Sequence, residues 1–289
     1  MELGKKVELG ELYKELRMAR GLKQKEVAKG NLTTSQLSKF ETGLSMLSAD
    51  KMITAIEGIY MTFEEFGHAL NDYQSTEFQK LSERVVYLFM KKDIATLQLL
   101  LEEYQEKSSN SLYARLFTIW IKNTIHSLDN EYPILEEDAH CLTNYLYSIE
   151  AWTGYELHLF GNTMPIFSDM DLIFLGKELV KRSEIYLSLT HYKQNLKFAY
   201  LNLISELLTR KKAEYMDIFI QELEPLLTYF DTFEMILLRF LKLMKKYCVE
   251  KTIQRQFVET YISDIDKLGL EEIASLLQLR LEQYERYFV

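Results

Sequence analysis

The side chains that ordinarily bind metals or act as nucleophiles are few in this sequence and poorly spaced for either task. The five His stand at 68, 126, 140, 158 and 191, and the two Cys at 141 and 248. No two His lie four residues apart, and His140 and Cys141 are neighbours that point in different directions on a helix. No zinc spacing and no disulfide framework results, so both Cys read as buried small apolar residues. Glu64 and Glu65 are adjacent acids at a helix start, where the dipole favours them, and form no acid–base pair. There is no phosphate-cradling Gly loop and no G-x-S-x-G elbow. The expectation is a protein that is not an enzyme and that uses no metal and no cofactor.

What remains is hydrogen-bonding chemistry, concentrated in residues 33–42, TTSQLSKFET. At helical spacing Leu37 and Phe40 form a buried side. Ser35, Ser38, Lys39 and Thr42 fall opposite them. The neighbouring segments must position that surface. Residues 8–20 read as a helix with Leu9, Leu12, Leu16 and Ala19 inward, ended by Gly21. Residues 24–29 read as a second helix with Val27 and Ala28 inward, followed by a turn at Gly30–Asn31. Thr33 or Thr34 caps the third helix, which stops at Gly43. A fourth helix, about 49–60, opens at Ser48 with Ile53 and Ile56 inward, and a short fifth starts from Thr62. Five short helices, the second and third joined by a tight turn, are what a helix-turn-helix needs. Its second helix must expose small or hydrogen-bonding side chains to enter a major groove ~12 Å wide. A plain helical corner shares the same core pattern.

Charge separates these readings. The chain carries a net −9, yet residues 1–40 hold nine Lys/Arg against five Asp/Glu. Residues 41–70 hold one Lys and five acids, so residues 71–289 carry the whole excess. A small basic unit is joined to a large acidic one, and the basic unit approaches phosphate at low electrostatic cost. The first residues are charged and lack an apolar signal region, and no apolar run reaches the ~20 residues of a membrane span. A reducing cytoplasm, with no membrane partner, is expected.

The stretch LKQKEVAKGNLTTSQLSKFETG resembles the Cro/C1-repressor type of helix-turn-helix, through its Gln24, its Ala28 and its "LSKFETG" ending, with a turn one residue shorter than in the phage repressors. The longer segment QLSKFETGLSMLSADKMITAIEGIYMTFEEF resembles the Rgg/GadR/MutR regulators of Gram-positive bacteria, which share an "LS-x-F-E-x-G" core and a closing "EEF". WTGYELHLFGNTMPIF, from Trp152 to Phe167, is similar to that family's "W..YE..LF.N" element. The resemblance covers the whole chain in layout and is most specific over residues 20–66. It implies DNA contacts at matching positions. Gln24 would touch phosphate. Thr34, Ser35, Ser38 and Lys39 would face the groove. Arg17 and Arg20 would reach the backbone. Lys39 is the expected base reader, through guanine O6 and N7, with a phosphate contact as the alternative.

From about residue 75 the pattern is helix after helix: 77–91, 93–106, 109–128, 134–147, 148–160, 168–187, 190–209, 211–222, 231–247, 251–267 and 270–287. Antiparallel pairs about forty residues apart suggest a degenerate helical-repeat solenoid. The family resemblance implies a tetratricopeptide-like repeat domain that in several members binds short secreted peptides. Arg115, Thr118 and Lys122 share one face, Asn195, Asn202 and Thr209 recur at heptad spacing, and Arg239, Lys242 and Lys246 share another. These are either solvated faces or peptide contacts. Asn195 and Asn202 are the strongest pair, since Asn forms helices poorly and can bridge backbone amides. Trp120 and Trp152 read as core. The last helix carries Leu270, Ile273, Leu277, Leu281, Tyr284 and Phe288 as an apolar stripe, either a dimer contact or a cap on the solenoid.

The expected architecture is therefore all-α: an N-terminal five-helix Cro/C1-type helix-turn-helix domain, residues 1–70, followed by a tetratricopeptide-like repeat domain, residues 71–289, for regulation and dimerisation. The expected partners are double-stranded DNA, a short peptide bound through Arg115, Lys122, Asn195, Asn202 and Arg239, and a second copy of the chain. The alternatives are a helical-repeat adaptor and a ligand-independent regulator whose solenoid only dimerises.

Overall fold

A computed structural model describes residues 5–108 and 111–288, and every regular element among them is helical. Chain contacts divide the molecule into two compact units, Met1–Val86 and Tyr87–Val289.

The first unit contains α1 (Lys5–Ala19), α2 (Gln24–Val27), α3 (Thr34–Glu41), α4 (Ala49–Gly58), α5 (Phe63–Leu70) and most of α6 (Glu77–Lys91). Its core gathers Tyr13, Val27, Leu32, Leu37, Phe40, Ala55, Ile56, Ile59 and Phe66, with Leu9, Leu12 and Leu16 packed against it. The inner line of α1 thus runs through Tyr13 and Arg17, and Ala19, expected inward, is exposed. Ile53 is a second correction. It is 43 % exposed, because α4 turns Ala55, Ile56 and Ile59 to the core instead. Thr33, rather than Thr34, caps α3: its hydroxyl accepts from the Gln36 amide while the Gln36 side chain accepts from the Thr33 amide, a reciprocal box. Thr62 and Glu65 repeat that device at α5. Gly21, Gly30 and Gly43 all have positive φ, which ends or turns the chain where L side chains would be strained. The α2–α3 turn is tied to α4 through Asn31, whose amide donates to Asp50 at 2.6 Å and whose carbonyl accepts from Thr54 at 2.9 Å.

The second unit continues as α7 (Ile94–Ser108), α8 (Leu112–Leu128), α9 (Glu136–Ser148), α10 (Gly154–Asn162), α11 (Asp169–Ser183), α12 (Thr190–Thr209), α13 (Met216–Leu223), α14 (Thr232–Met244), α15 (Arg255–Lys267) and α16 (Glu271–Phe288). The helix expected at 109–128 is described from Leu112, its first two residues lying outside the described residues. The helix expected from 148 starts instead at Gly154, after the Thr153 cap. Alternate helices pack into two rows: α8, α10, α12, α14 and α16 succeed one another in one, while α9, α11 and α13 form the other. This is the layering of a helical-repeat solenoid. Trp120 and Trp152 are core, as expected. Arginines at helix ends close earlier loops. Arg182 donates to the carbonyls of Leu146 and Ile149 at 2.7 and 2.9 Å. Arg210 donates to those of Met164 and Phe167, both at 2.8 Å.

The apolar stripe of α16 is largely spent inside this unit. Leu277, Leu281 and Tyr284 are buried, and the Tyr284 ring lies 6.5 Å from Phe240 of α14. Of the two readings of that stripe, the cap on the solenoid fits the packing.

Candidate functional site

Helix α3 exposes Thr34, Ser35 and Lys39 to solvent, with Ser38 half-buried beside them. Leu37 and Phe40, on the other side, are completely buried, so the exposed line is fixed by packing rather than by its own propensity. The last turn is held by Thr42, whose hydroxyl donates to the Ser38 carbonyl at 2.9 Å. Arg20 is exposed at the end of α1 and donates to Leu16 in its own helix. Lys25 and Lys29 are also exposed, and both belong to the basic excess of residues 1–40.

Arg17 is a correction. It is 7 % exposed, with Nε 2.6 Å from Glu41 and a third donor spent on the Leu22 carbonyl. The pair holds the guanidinium charged, the hydrogen bond to Glu41 being the main cause. Three of its five N–H groups are committed inside the unit and the side chain is buried, so it is not presented to a DNA backbone. Gln24 joins the same network: Nε2 donates to Glu41 at 2.7 Å, which fixes the start of α2 against the end of α3. Neighbouring Tyr13 donates to the Ala55 carbonyl at 2.9 Å, and burial pushes its phenol well above the usual range.

In the repeat unit, the five expected peptide contacts do not form one site. Asn195 and Asn202 do share a face of α12 with His191, Phe198 and Ser205. That face lies between α10 and α14, since Asn202 donates to the Gly161 carbonyl at 3.0 Å and the Phe198 ring lies 6.3 Å from Phe233 of α14. Tyr200, on the opposite side, packs on Phe219 of α13. Asn195 stays half-buried, 3.4 Å from the His191 ring nitrogen. Lys122 is a correction: it is half-buried and pairs with the buried Asp138 of α9 at 2.6 Å, so its charge is already matched. Thr118 is buried too and bonds back to Ala114. Arg115 is half-buried and faces a cavity between α8 and α9, away from the α12 face. Arg239 is exposed on α14, on the line of Lys242, which pairs with Glu224.

Sequence reasoning missed Asn123, although the argument applied to Asn195 would have found it. It is buried mid-helix in α8 and donates to the Asn162 carbonyl at 2.8 Å. Asn123 and Asn202 thus hold the end of α10 from both sides. The "W..YE..LF.N" residues prove to be the framework of this end. Trp152, Leu159 and Phe160 are buried, and Glu156 accepts from Tyr145 at 2.5 Å and from the Thr153 amide at 2.8 Å. Between α8 and α10, Tyr113 and Phe117 each meet the Tyr155 ring edge-on, and His158 stands 4.4 Å from Trp120. Burial there pushes His158 down to about 4.

Of the two thiols, Cys248 is buried and pushed up to about 11 by that burial, whereas Cys141, also expected to be buried, is partly exposed. Among the described residues no group of His, Cys, Asp and Glu is placed to hold a metal ion, and no helix is long and apolar enough to cross a membrane.

Three solved structures share this fold over nearly the whole chain. The SHP pheromone receptor Rgg2(C45S) of Streptococcus dysgalactiae is 23 % identical, with a TM-score of 0.75, covering 96 % of this chain and 98 % of its own. A protein of Listeria monocytogenes EGD-e described as a transcriptional regulator is 24 % identical, with a TM-score of 0.77 and 96 % coverage of both chains. The PrgX/cCF10 complex is 14 % identical, with a TM-score of 0.70, covering 96 % of this chain and 92 % of its own. At these identities the likeness is one of fold, which these chains share from the helix-turn-helix through the repeats. Residues 97–279, more than half of the chain, match the family model of the C-terminal domain of the HTH-type transcriptional regulator Rgg, and the protein belongs to that family.

Proposed function

We propose that this protein binds double-stranded DNA through α3 and that a short peptide on the α12 face of its repeats controls that binding. The observation that carries the reading is the exposed line Thr34, Ser35 and Lys39 on a helix clamped from behind by Leu37, Phe40 and the Arg17–Glu41 pair. Small hydroxyls beside one cation suit a major groove. Gln24 and Arg20 flank that line and supply phosphate contacts, with Lys39 reading a base. Residues 1–70 act as the DNA-binding domain and residues 71–289 as the regulatory and dimerisation domain. The protein works in the cytoplasm as a homodimer, since helix-turn-helix proteins ordinarily read two half-sites.

For the peptide, support comes from the α12 face. Asn195, with His191 and Phe198 beside it, offers amide and aromatic groups along one helix, which suits the backbone and side chains of an extended segment. Rgg2, similar in fold, is a pheromone receptor, and PrgX forms a complex with cCF10.

The test is a gel shift on the DNA upstream of the protein's own gene, at low salt, with and without peptides encoded by neighbouring short reading frames. The proposal expects a shifted band whose affinity changes with one of those peptides. Absence of any shift favours a helical-repeat adaptor. A shift indifferent to every peptide favours a regulator whose repeats only dimerise.

A further inference from the structure

The geometry points to a second ligand site, for a small carboxylate with an apolar body, in the cleft between α8 and α9. The cleft has a volume of about 470 Å³ and is lined by Leu112 and Arg115 of α8 and by Glu137, Cys141, Asn144, Tyr145 and Ser148 of α9. Four of the α9 residues, 137, 141, 144 and 148, recur at helical spacing and so turn one face into it. Its walls are mostly apolar: the Leu112 side chain, the Tyr145 ring and the Cys141 thiol. Tyr145 is fixed there because its hydroxyl is committed to Glu156 at 2.5 Å.

Two charged side chains line the cleft, and the less exposed of them sets the ligand's charge: Glu137 is exposed at the rim, whereas Arg115 is half-buried. Arg115 and Lys122 lie on one side of α8, two turns apart. Lys122 has its carboxylate, Asp138, at 2.6 Å. Arg115 is half-buried, and among the described residues its guanidinium has no hydrogen-bond or ion-pair partner. Elsewhere in this acidic unit Lys197, Arg210, Lys212, Lys242, Lys245 and Arg255 all have carboxylate partners. A planar, permanently charged donor over an apolar floor fits a carboxylate, with the Asn144 amide at the margin as a further donor; the Ser148 hydroxyl is already spent on the Tyr145 carbonyl at 2.7 Å. The cleft is not the α12 face proposed for the peptide. On α8, Trp120 and Asn123 turn towards α10, while Arg115 turns towards α9.

Cys141 makes the site readable. It is the partly exposed thiol, Cys248 being buried. The experiment is alkylation of Cys141 by iodoacetamide in the full-length protein, followed by mass spectrometry, with 4-phenylbutyrate or its neutral amide added. The expected result is saturable protection by the acid, with the amide about tenfold weaker for want of a charge-assisted contact. Arg115→Gln should bind acid and amide alike while keeping the wild-type circular dichroism and melting profile. No protection by the acid, equal protection by the amide, or an acid preference that survives in Arg115→Gln each overturns the inference. None of these outcomes bears on DNA or peptide binding, which are read separately.

Discussion

Arg17 and Glu41, 24 residues apart, meet through two hydrogen bonds, Nε to Oε1 at 2.6 Å and a terminal guanidinium nitrogen to Oε2 at 2.8 Å. Both side chains are almost wholly buried. Removing one partner strands the other in an apolar setting, which costs about 3–5 kcal/mol. Glu41→Ala should therefore loosen the first unit and increase hydrogen exchange in the amides of α3. Arg17→Met combined with Glu41→Leu should recover most of the protection, because no charge is left unpaired.

Gly10 lies where α1 crosses α3. A Cβ at that position would stand 1.9 Å from the Phe40 carbonyl oxygen. Gly10→Ala must push the two helices apart, at about 1–3 kcal/mol, and should lower both the melting temperature and DNA affinity. Gly67→Ala, in α5, meets nothing within 4 Å and should stabilise by about 0.5–1 kcal/mol.

If Lys39 reads a base, Lys39→Ala should flatten the protein's preference among operator variants. A phosphate contact would give a different pattern: affinity would fall about equally on all sequences and the salt slope would shrink by about one. Titration of a set of point-substituted operators at two salt concentrations distinguishes them.

Asn195 and Asn202 separate structure from recognition. Asn202 caps the end of α10, so Asn202→Ala should cost about 1 kcal/mol of stability. Asn195 has only a long contact to His191, so Asn195→Ala should leave the melting temperature near wild type. Under the proposed function it should weaken peptide binding. Calorimetric melting with peptide titration reads both effects.

His158 makes folding pH-dependent with a definite sign. Burial lowers its folded value to about 4 from 6.5. The unfolded chain therefore takes up a proton first as the medium becomes acid. Its contribution is complete above pH 6.5 and is lost as pH falls from there towards 4, by up to about 1.4 kcal/mol per pH unit. Urea unfolding from pH 7 to 4.5 should fall more steeply for wild type than for His158→Gln. Parallel slopes would contradict this account.

Much of the fold was legible because helical periodicity, caps and glycine stops act over a few residues. Thr33, Gly43 and Thr62 marked their boundaries correctly, and helix 190–209 was read to the residue. What escaped depends on partners far along the chain. Arg17 and Lys122 read as free cations, but their carboxylates arrive from 24 and 16 residues away. Ile53 read as core because local periodicity cannot tell which of two adjacent apolar lines on α4 meets the rest of the unit. The α16 stripe left a dimer contact and a cap both open, because its own spacing cannot show that Phe240 of α14 lies 6.5 Å from Tyr284.

The arginine clasps carry a consequence for how the chain is made. Carbonyls at the end of α9 wait for Arg182, and those after α10 wait for Arg210, each more than thirty residues further on. On the ribosome each loop is therefore synthesised well before the residue that fastens it. For these two loops the order of assembly is vectorial, each provisional until its arginine emerges. A premature stop therefore unfastens the last loop made, besides removing the helices beyond it.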